Sequence, residues 1–359
     1  MSFSAADHAH MARALRLAER GLFTTDPNPR VGCVIVKDGH VVGEGWHARA
    51  GTPHAEIHAL QQAGAAAQGA TAYVTLEPCS HHGRTPPCAE ALIRAGVARV
   101  VAAMTDPNPL VAGGGIDMLT LSGIRAETGL MQAEARALNP GFISRMTRSR
   151  PWVRLKTAST LDGKTALENG TSQWITGEAA RADVQRLRAR ASAILTGSGT
   201  VRADDPKMTV RDFDIGRQPL RVIVDSTLAT PSTAAILPAL VVCHTADPAR
   251  CAALAAAGAE VVELPGADGR VDLARLLALL AQRGVNELHV EAGAGLNGAL
   301  LEAGLVDEWI AYIAPMAVGD AARGLFATAP LGTLAEASRF RLADVRQLGS
   351  DLRLTLLQQ

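Results

Sequence analysis

The sequence predicts an α/β protein built as two domains. Three observations carry this expectation. The 359 residues are about twice a typical domain length. Runs of β-branched residues alternate with helical patterns in both halves. A polar, basic, proline-terminated stretch, TRSRP at 147–151, separates those halves. The expected domains are residues 1–148 and 149–359.

The first twenty residues read as a helix, with Ser4 as N-cap, Met11, Leu15 and Leu17 as its apolar stripe and Gly21 as its stop. A loop with two prolines follows at 24–29. Residues 31–36 form a β-branched strand, Gly39 turns it, and 41–46 return as a second strand. A helix over 55–67, a strand over 70–76, a short helix over 88–95 and a strand over 99–104 come next, and one helix spans 130–146. This pattern predicts a mixed sheet covered by helices. The second half restarts with a strand at 152–157. Further strands are expected at 193–196, 220–225, 240–244, 260–264 and 288–291, with helices at 178–189, 273–283 and 296–303. That alternation predicts a largely parallel sheet.

Composition narrows the function. Apolar residues make up 48% and charged residues 19%, an ordinary globular balance, and with aromatics at 3% the core must rest on Ala, Leu and Val. Lys+Arg and Asp+Glu are both 35, so the chain shows no basic footprint for nucleic acid or for an anionic membrane. No apolar run approaches the ~20 residues of a membrane span, and the first twenty residues carry no signal-peptide core. The expected compartment is the cytoplasm. Five cysteines make no disulfide framework. Cys33, Cys243 and Cys251 read as core thiols.

The strongest chemical signal is His54-Ala55-Glu56 followed by Pro78-Cys79 and Cys88. One imidazole and two thiolates are standard zinc ligands, and three protein ligands leave a position open for water, the catalytic arrangement. Glu56, two residues from His54, suits proton transfer beside that water. H-x-E followed by P-C and a second Cys is the zinc-deaminase signature. Pro87 sets Cys88 at a helix start, where thiolates are stabilised. A disulfide between Cys79 and Cys88 is the competing reading. His81 and His82 compete as ligands, because eight residues separate the cysteines where the common pattern has two.

These motifs extend into a wider resemblance. TTDPNPRVGCVIVKDG (24–39), PHAEIHAL (53–60) and LEPCSHHGRTPPC (76–88) are similar to the riboflavin-pathway bifunctional deaminase–reductases, whose pattern includes the eight-residue spacer. LKTASTLDGKTA (155–166), SQWITG (172–177), ILTGSGTVRADDPKMTVR (194–211) and VEAGAGLNGALL (290–301) continue it through the second half. Thr160 stands where the family more often has Ser. The resemblance implies a cytidine-deaminase-like α/β/α domain followed by a dihydrofolate-reductase-like α/β domain. It implies hydrolytic deamination of 2,5-diamino-6-(5-phosphoribosylamino)pyrimidin-4(3H)-one. The second implied step is NADPH-dependent reduction of the product's ribosyl group to ribityl. His54, Cys79 and Cys88 would then hold Zn2+, Glu56 would move the proton, and Asn28 and His47 would be candidate contacts to the pyrimidine nucleotide. A homo-oligomer, dimer or tetramer, is also implied.

A reductase must hold a hydride donor, fix the substrate phosphate and supply an acid. No G-x-G-x-x-G follows the first strand of the second half. Instead GSGT (197–200) and GAGLNGA (293–299) follow expected strands, and their backbone N–H groups suit a pyrophosphate. By resemblance, Ala158, Trp174, Thr200, Asp204, Ser226 and the loop Gly293, Ala294, Gly295, Leu296, Asn297, Gly298, Ala299 contact NADPH. Arg188 and Arg211, with Ser172, Met208 and Glu291, hold the substrate. Lys156 and Asp204 are the candidates for polarising or protonating the sugar carbonyl. Two other functions compete: deamination of nucleic-acid bases, which the charge balance disfavours, and a scaffold with a closed structural zinc.

Overall fold

The computed structural model describes residues 3–81, 86–109 and 111–359. The chain divides into two compact units, Met1–Ser149 and Arg150–Gln359.

The first unit runs α1 (Ala5–Glu19), β1 (Gly32–Lys37), β2 (His40–Trp46), α2 (Ala55–Ala63), β3 (Thr71–Val74), α3 (Cys88–Arg94), β4 (Arg99–Ala102), α4 (Gly114–Leu121), β5 (Arg125–Thr128), α5 (Gln132–Leu138) and α6 (Pro140–Arg148). Its sheet has the order β2-β1-β3-β4-β5. β1 pairs antiparallel with β2 and β3, and β3, β4 and β5 are parallel. Ser4 caps α1 as expected, in a capping box with Asp7.

Three glycines set the spacing of the layers. A Cβ on Gly32 would stand 2.0 Å from the Ala14 carbonyl of α1. On Gly43 and Gly45 it would meet the Ala59 and Ala55 carbonyls of α2 at 2.1 and 2.3 Å. Gly45 lies opposite Cys33 and Gly43 opposite Ile35, whereas Gly32 lies opposite Trp46, so α1 and α2 cover opposite faces. Close approach of α2 brings its first turn, with Glu56, down onto the sheet.

Two helices differ from expectation. The helix expected over 55–67 stops at Gly64, whose φ of +51° suits glycine, and a 3-10 turn continues to Ala67. The helix expected over 130–146 is two. Asn139 lies between them at φ −123°, and Pro140 opens the second, because a residue before proline is driven out of the α region. The Asn139 side chain then pairs with Arg30, accepting its backbone N–H at 2.8 Å and donating to its carbonyl at 2.9 Å.

The second unit runs β6 (Trp152–Thr160), β7 (Lys164–Ala166), α7 (Glu178–Arg190), β8 (Ala193–Gly197), α8 (Ser198–Asp204), β9 (Leu220–Val224), β10 (Leu240–Cys243), α9 (Pro248–Ala256), β11 (Glu260–Glu263), α10 (Leu273–Gln282), β12 (Glu287–Val290), α11 (Ala294–Glu302), β13 (Glu308–Ala314), β14 (Arg323–Gly324), β15 (Phe340–Leu348) and β16 (Asp351–Gln358). β7 and β14 form a separate short ladder. The other strands make one sheet, ordered β11-β10-β9-β8-β12-β6-β13-β16-β15. The run from β11 to β13 is parallel, and β16 and β15 add an antiparallel hairpin at one edge.

That hairpin and β13 lie outside the sequence expectation, which placed no strand beyond 291. β15 is exposed at most positions on both faces, so its sequence lacks the one-sided alternation that marks a half-buried strand. β8 and β10 are nearly continuous apolar runs, as a sheet covered on both faces requires.

Candidate active sites

The first site forms where α2 and α3 begin. His54 is the N-cap residue of α2, and Cys88 is the first residue of α3. Cys79 lies in the loop that follows β3. His54 Nδ1 is 3.3 Å from Cys88 Sγ and 3.7 Å from Cys79 Sγ. All three ligand atoms fall within 4.8 Å of one another. The cysteines are free thiols, so no disulfide joins them. One imidazole and two converging sulfurs are donors that zinc takes, and the set fits that ion. His81 is exposed and stands outside the cluster. His82 lies outside the described residues.

The electrostatics follow from this crowding. A hydrogen bond from the Cys88 thiol pulls the Cys79 thiol below its ordinary value, and the proton held between them pushes Cys88 up. The hydrogen bond with Cys79 raises His54. Glu56 is buried beside them, and burial, with the charge of Cys79, pushes its carboxyl up to about 7. Asn28 and His47 join the same rim. Asn28 Nδ2 donates to His47 Nε2 at 3.0 Å, which leaves His47 Nδ1 to donate to the Pro53 carbonyl at 3.2 Å. The His47 and His54 rings meet edge-on, 5.2 Å between centroids. Burial holds His47 below its ordinary value, so it presents a neutral ring.

Sequence reasoning missed Glu77. Its buried carboxylate accepts four backbone N–H groups, from Asp106 (2.9 Å), Gly113 (3.0 Å), Gly115 (2.8 Å) and Ile116 (3.2 Å). It thereby fixes the loop of Pro78 and Cys79 against the start of α4. Gly115 permits this contact, since its Cβ would fall 1.9 Å from the Pro78 carbonyl. The signal was an acidic residue directly before Pro-Cys at the end of an apolar strand.

The second site forms at the carboxyl ends of β6, β8 and β12. β8 leads outward to β9, and β12 leads the other way to β13, so the crevice between them is a topological switch point. The Glu291 N–H donates to the Leu195 carbonyl at 2.9 Å, and Thr196 Oγ1 donates to the Glu291 carbonyl at 2.7 Å. Both glycine segments open onto this crevice. Thr200 Oγ1 lies 3.8 Å from where a Gly293 Cβ would stand. Gly293 caps α11 with no side-chain hydrogen bond. A Cβ on Gly199 or Gly295 would meet no protein atom within 4 Å. Uncapped N–H groups beside open space are the chemistry a pyrophosphate needs, so the crevice fits NADPH.

Beside it, Arg188 donates to Glu291 through Nε (2.5 Å) and Nη2 (3.0 Å) and to the Thr209 carbonyl at 3.2 Å. Its Nη2 is 3.7 Å from Met208 Sδ. Lys156 Nζ stands 3.9 Å from Glu291 Oε2. Burial holds Lys156 below its ordinary value. Ala158 lies further along β6, and Ser226 just past β9. The structure thus brings Lys156, Arg188, Met208 and Glu291 together. Trp174 is 69% exposed, with the Arg181 guanidinium 4.6 Å over its ring. Ser172 is half-buried in the same segment, Asp204 is exposed at the end of α8, and Arg211 has an exposed side chain. Thr160 Oγ1 donates to Asp162 at 2.5 Å and accepts the Lys164 N–H at 3.0 Å, closing the turn after β6.

Residues 4–104 match the cytidine and deoxycytidylate deaminase zinc-binding region, and residues 151–354 match the RibD C-terminal domain. The riboflavin biosynthesis protein RibD of Escherichia coli is 50% identical over 363 residues, covering 98% of this chain and 99% of its own. The chain belongs to the RibD family. RibD of Haemophilus influenzae is 48% identical, covering 99% of this chain and 98% of its own. Among solved structures, Acinetobacter baumannii RibD, form 1, superposes with a TM-score of 0.92 at 48% identity, covering 99% of both chains. The diaminohydroxyphosphoribosylaminopyrimidine deaminase/5-amino-6-(5-phosphoribosylamino)uracil reductase of Thermotoga maritima does so at 0.85 and 33% identity, again with 99% of both chains covered. The expected order, a cytidine-deaminase-like domain followed by a RibD reductase domain, holds.

Proposed function

We infer that this chain carries out two successive steps of riboflavin biosynthesis. It deaminates 2,5-diamino-6-(5-phosphoribosylamino)pyrimidin-4(3H)-one by hydrolysis. It then reduces the ribosyl group of 5-amino-6-(5-phosphoribosylamino)uracil to ribityl with NADPH. One observation carries the reading: a three-ligand His/Cys/Cys set with a buried glutamate and a glycine-lined crevice beside Lys156, Arg188 and Glu291 occur in one chain.

In the deaminase site, His54, Cys79 and Cys88 would hold Zn2+. Bound zinc supplies Lewis-acid activation of water, and bound NADPH supplies hydride. Glu56, buried and next to the ligands, is placed to carry a proton from water to the leaving amine. Asn28 and the neutral His47 offer directional hydrogen bonds to a flat polar ring.

In the reductase site, the backbone N–H groups of 293–296 and the 197–200 loop are placed for the cofactor pyrophosphate. Arg188 and Arg211 supply cations for the substrate phosphate. Lys156, held toward the neutral form by burial yet facing Glu291, is placed to polarise or protonate the sugar carbonyl. Trp174, Thr200, Asp204, Ser226 and the remainder of 293–299 complete the proposed cofactor contacts, with Ser172 and Met208 on the substrate side.

The chain is proposed to work as a homo-oligomer, a dimer or tetramer. Supporting this, the edge strand β15 presents Leu342 and Val345 at 53% and 50% exposure, and an open edge is a template for pairing. The proposed compartment is the cytoplasm, where Cys79 and Cys88 stay reduced for metal. No helix among the described residues is long and apolar enough to cross a membrane.

Incubation with the diaminopyrimidine nucleotide tests the whole reading. Ammonia release followed by NADPH oxidation is expected. Ammonia without later NADPH loss would remove the reductase assignment.

A further inference from the structure

His289 is an anomaly in the second unit. It lies on β12 and is fully buried. Its Nε2 is 3.2 Å from Glu291 Oε1 without a hydrogen bond between them, and neither ring nitrogen has a hydrogen-bond partner among the described residues. Sheet register puts it beside Arg154 on β6 and Ile194 on β8, with Glu308 of β13 beyond Arg154. Alternation puts Lys156 and Glu291 one step further along the same face. The rest of the face mixes aliphatic side chains, Ile194 and Ile310, with charged ones that have ion-pair partners, Arg154, Lys156 and Glu308. An imidazole with an unpaired buried nitrogen costs stability that a leucine would not, so its presence calls for a role outside packing.

The surrounding charges show where that role lies. Arg154 is paired on both sides, with Glu287 at 3.0 Å and Glu308 at 2.9 Å, and Arg190 of α7 closes on Glu287 at 2.7 Å. This ladder is self-contained. Glu291 faces four groups instead. Oε1 receives Arg188 Nε and lies by His289 Nε2, while Oε2 receives Arg188 Nη2 and faces Lys156 Nζ. Burial and the neighbouring arginines disfavour a charged His289, so the neutral ring has one proton, and Glu291 is the acceptor within reach.

We propose that His289 is a positioning residue for the reductase step: from 3.2 Å away, its ring turns to donate Nε2–H to Glu291 Oε1 when substrate is bound, and holds that carboxylate in the orientation that presents Arg188 and Lys156 to substrate. The proposal rests on reading Lys156, Arg188 and Glu291 as the reductase site. Without the donor, Glu291 is free to turn, and it loses one of the interactions that keep it ionised.

The test compares His289→Leu, His289→Gln, His289→Asn and Glu291→Gln in the full-length chain, with steady-state reductase kinetics against pH and thermal melts. His289→Leu is expected to lower kcat/KM for the uracil nucleotide about tenfold, with KM for NADPH unchanged. The acid limb of the pH profile moves to higher pH, because a Glu291 with fewer donors protonates more easily. His289→Gln, whose amide N–H reaches the Nε2 position, restores most of the loss. His289→Asn, too short to reach, does not. If His289→Leu fails to fold, the contrast between Gln and Asn decides the matter. A lower melting temperature with wild-type kcat/KM and an unmoved acid limb would overturn the proposal. Glu291→Gln separates the two layers of the argument. A wild-type rate in that variant removes the site reading itself, whereas a large loss there with no effect at His289 removes only the positioning role.

Discussion

The backbone N–H of Cys88 donates to the Sγ of Cys79 at 3.3 Å. The first residue of α3 therefore brings one sulfur to the site and directs its N–H at the other. Both effects favour thiolate at Cys79, and thiolate is the form that binds metal. Stripping the metal with a chelator is expected to abolish ammonia release and leave NADPH oxidation of the deaminated nucleotide intact. Two assays on one sample check this, and re-addition of zinc should restore the first activity alone.

Glu56 is assigned a proton, not a metal. Glu56→Gln should lower the deamination rate by about a thousandfold, the scale of general acid–base catalysis. Elemental analysis of the same variant should still find zinc at the wild-type ratio. A variant that loses its zinc would make Glu56 a ligand instead.

Glu77 ties down the loop carrying Cys79 through four N–H bonds. Glu77→Ala is expected to weaken zinc binding by about 10- to 100-fold, the usual cost of losing an outer support of a metal site. Competition with a calibrated chelator measures it, and reductase kinetics should not change.

Two glycines of one helix face different neighbours. Gly295 faces open space, and Gly298 faces the Ala327 carbonyl, 2.2 Å from where a Cβ would stand. Gly295→Val should melt close to the wild-type temperature while its KM for NADPH rises about tenfold or more. Gly298→Ala should instead lower the melting temperature, since backbone must move to admit the methyl group. Equal melting temperatures for the two would contradict the assigned packing.

Asp7 sets the acid response of the first unit. Burial alone would raise its carboxyl, but hydrogen bonds from Arg99, Tyr73 and Ser4 outweigh that and hold it well below the usual range. A depressed carboxylate contributes stability above its unfolded value, near 4, and that contribution fades as pH falls toward the folded value. Melting temperature should therefore drop steeply below about pH 4 in the wild type. Asp7→Asn should be less stable near neutrality by about 3 kcal/mol and show a flatter acid decline.

How far the sequence could be read depends on what each residue answers to. His54, Glu56, Cys79 and Cys88 were legible because their spacing is local: two helix starts and one loop impose it. The glycine segments 197–200 and 293–299 were legible as candidates for the same reason. The break at Asn139 and Pro140 was present as a proline signal that the long apolar stripe masked. β15 was not legible, since a strand with both faces largely in water leaves no alternating pattern, and without it the hairpin it forms with β16 gave no signal.

The alternation of strands and helices up to β12, the metal-ligand trio and the division near residue 149 are properties of chain-local chemistry: caps, turns, β-branched runs and fixed ligand spacing. The meeting of Lys156, Arg188, His289 and Glu291 is a property of the folded sheet. They come from β6, α7 and the end of β12, and β12 enters between β8 and β6 after three other strands have formed beyond β8. Which side chains then share a face, and which buried nitrogens are left without a partner, follows from register and packing between distant segments, and no window of sequence contains that information.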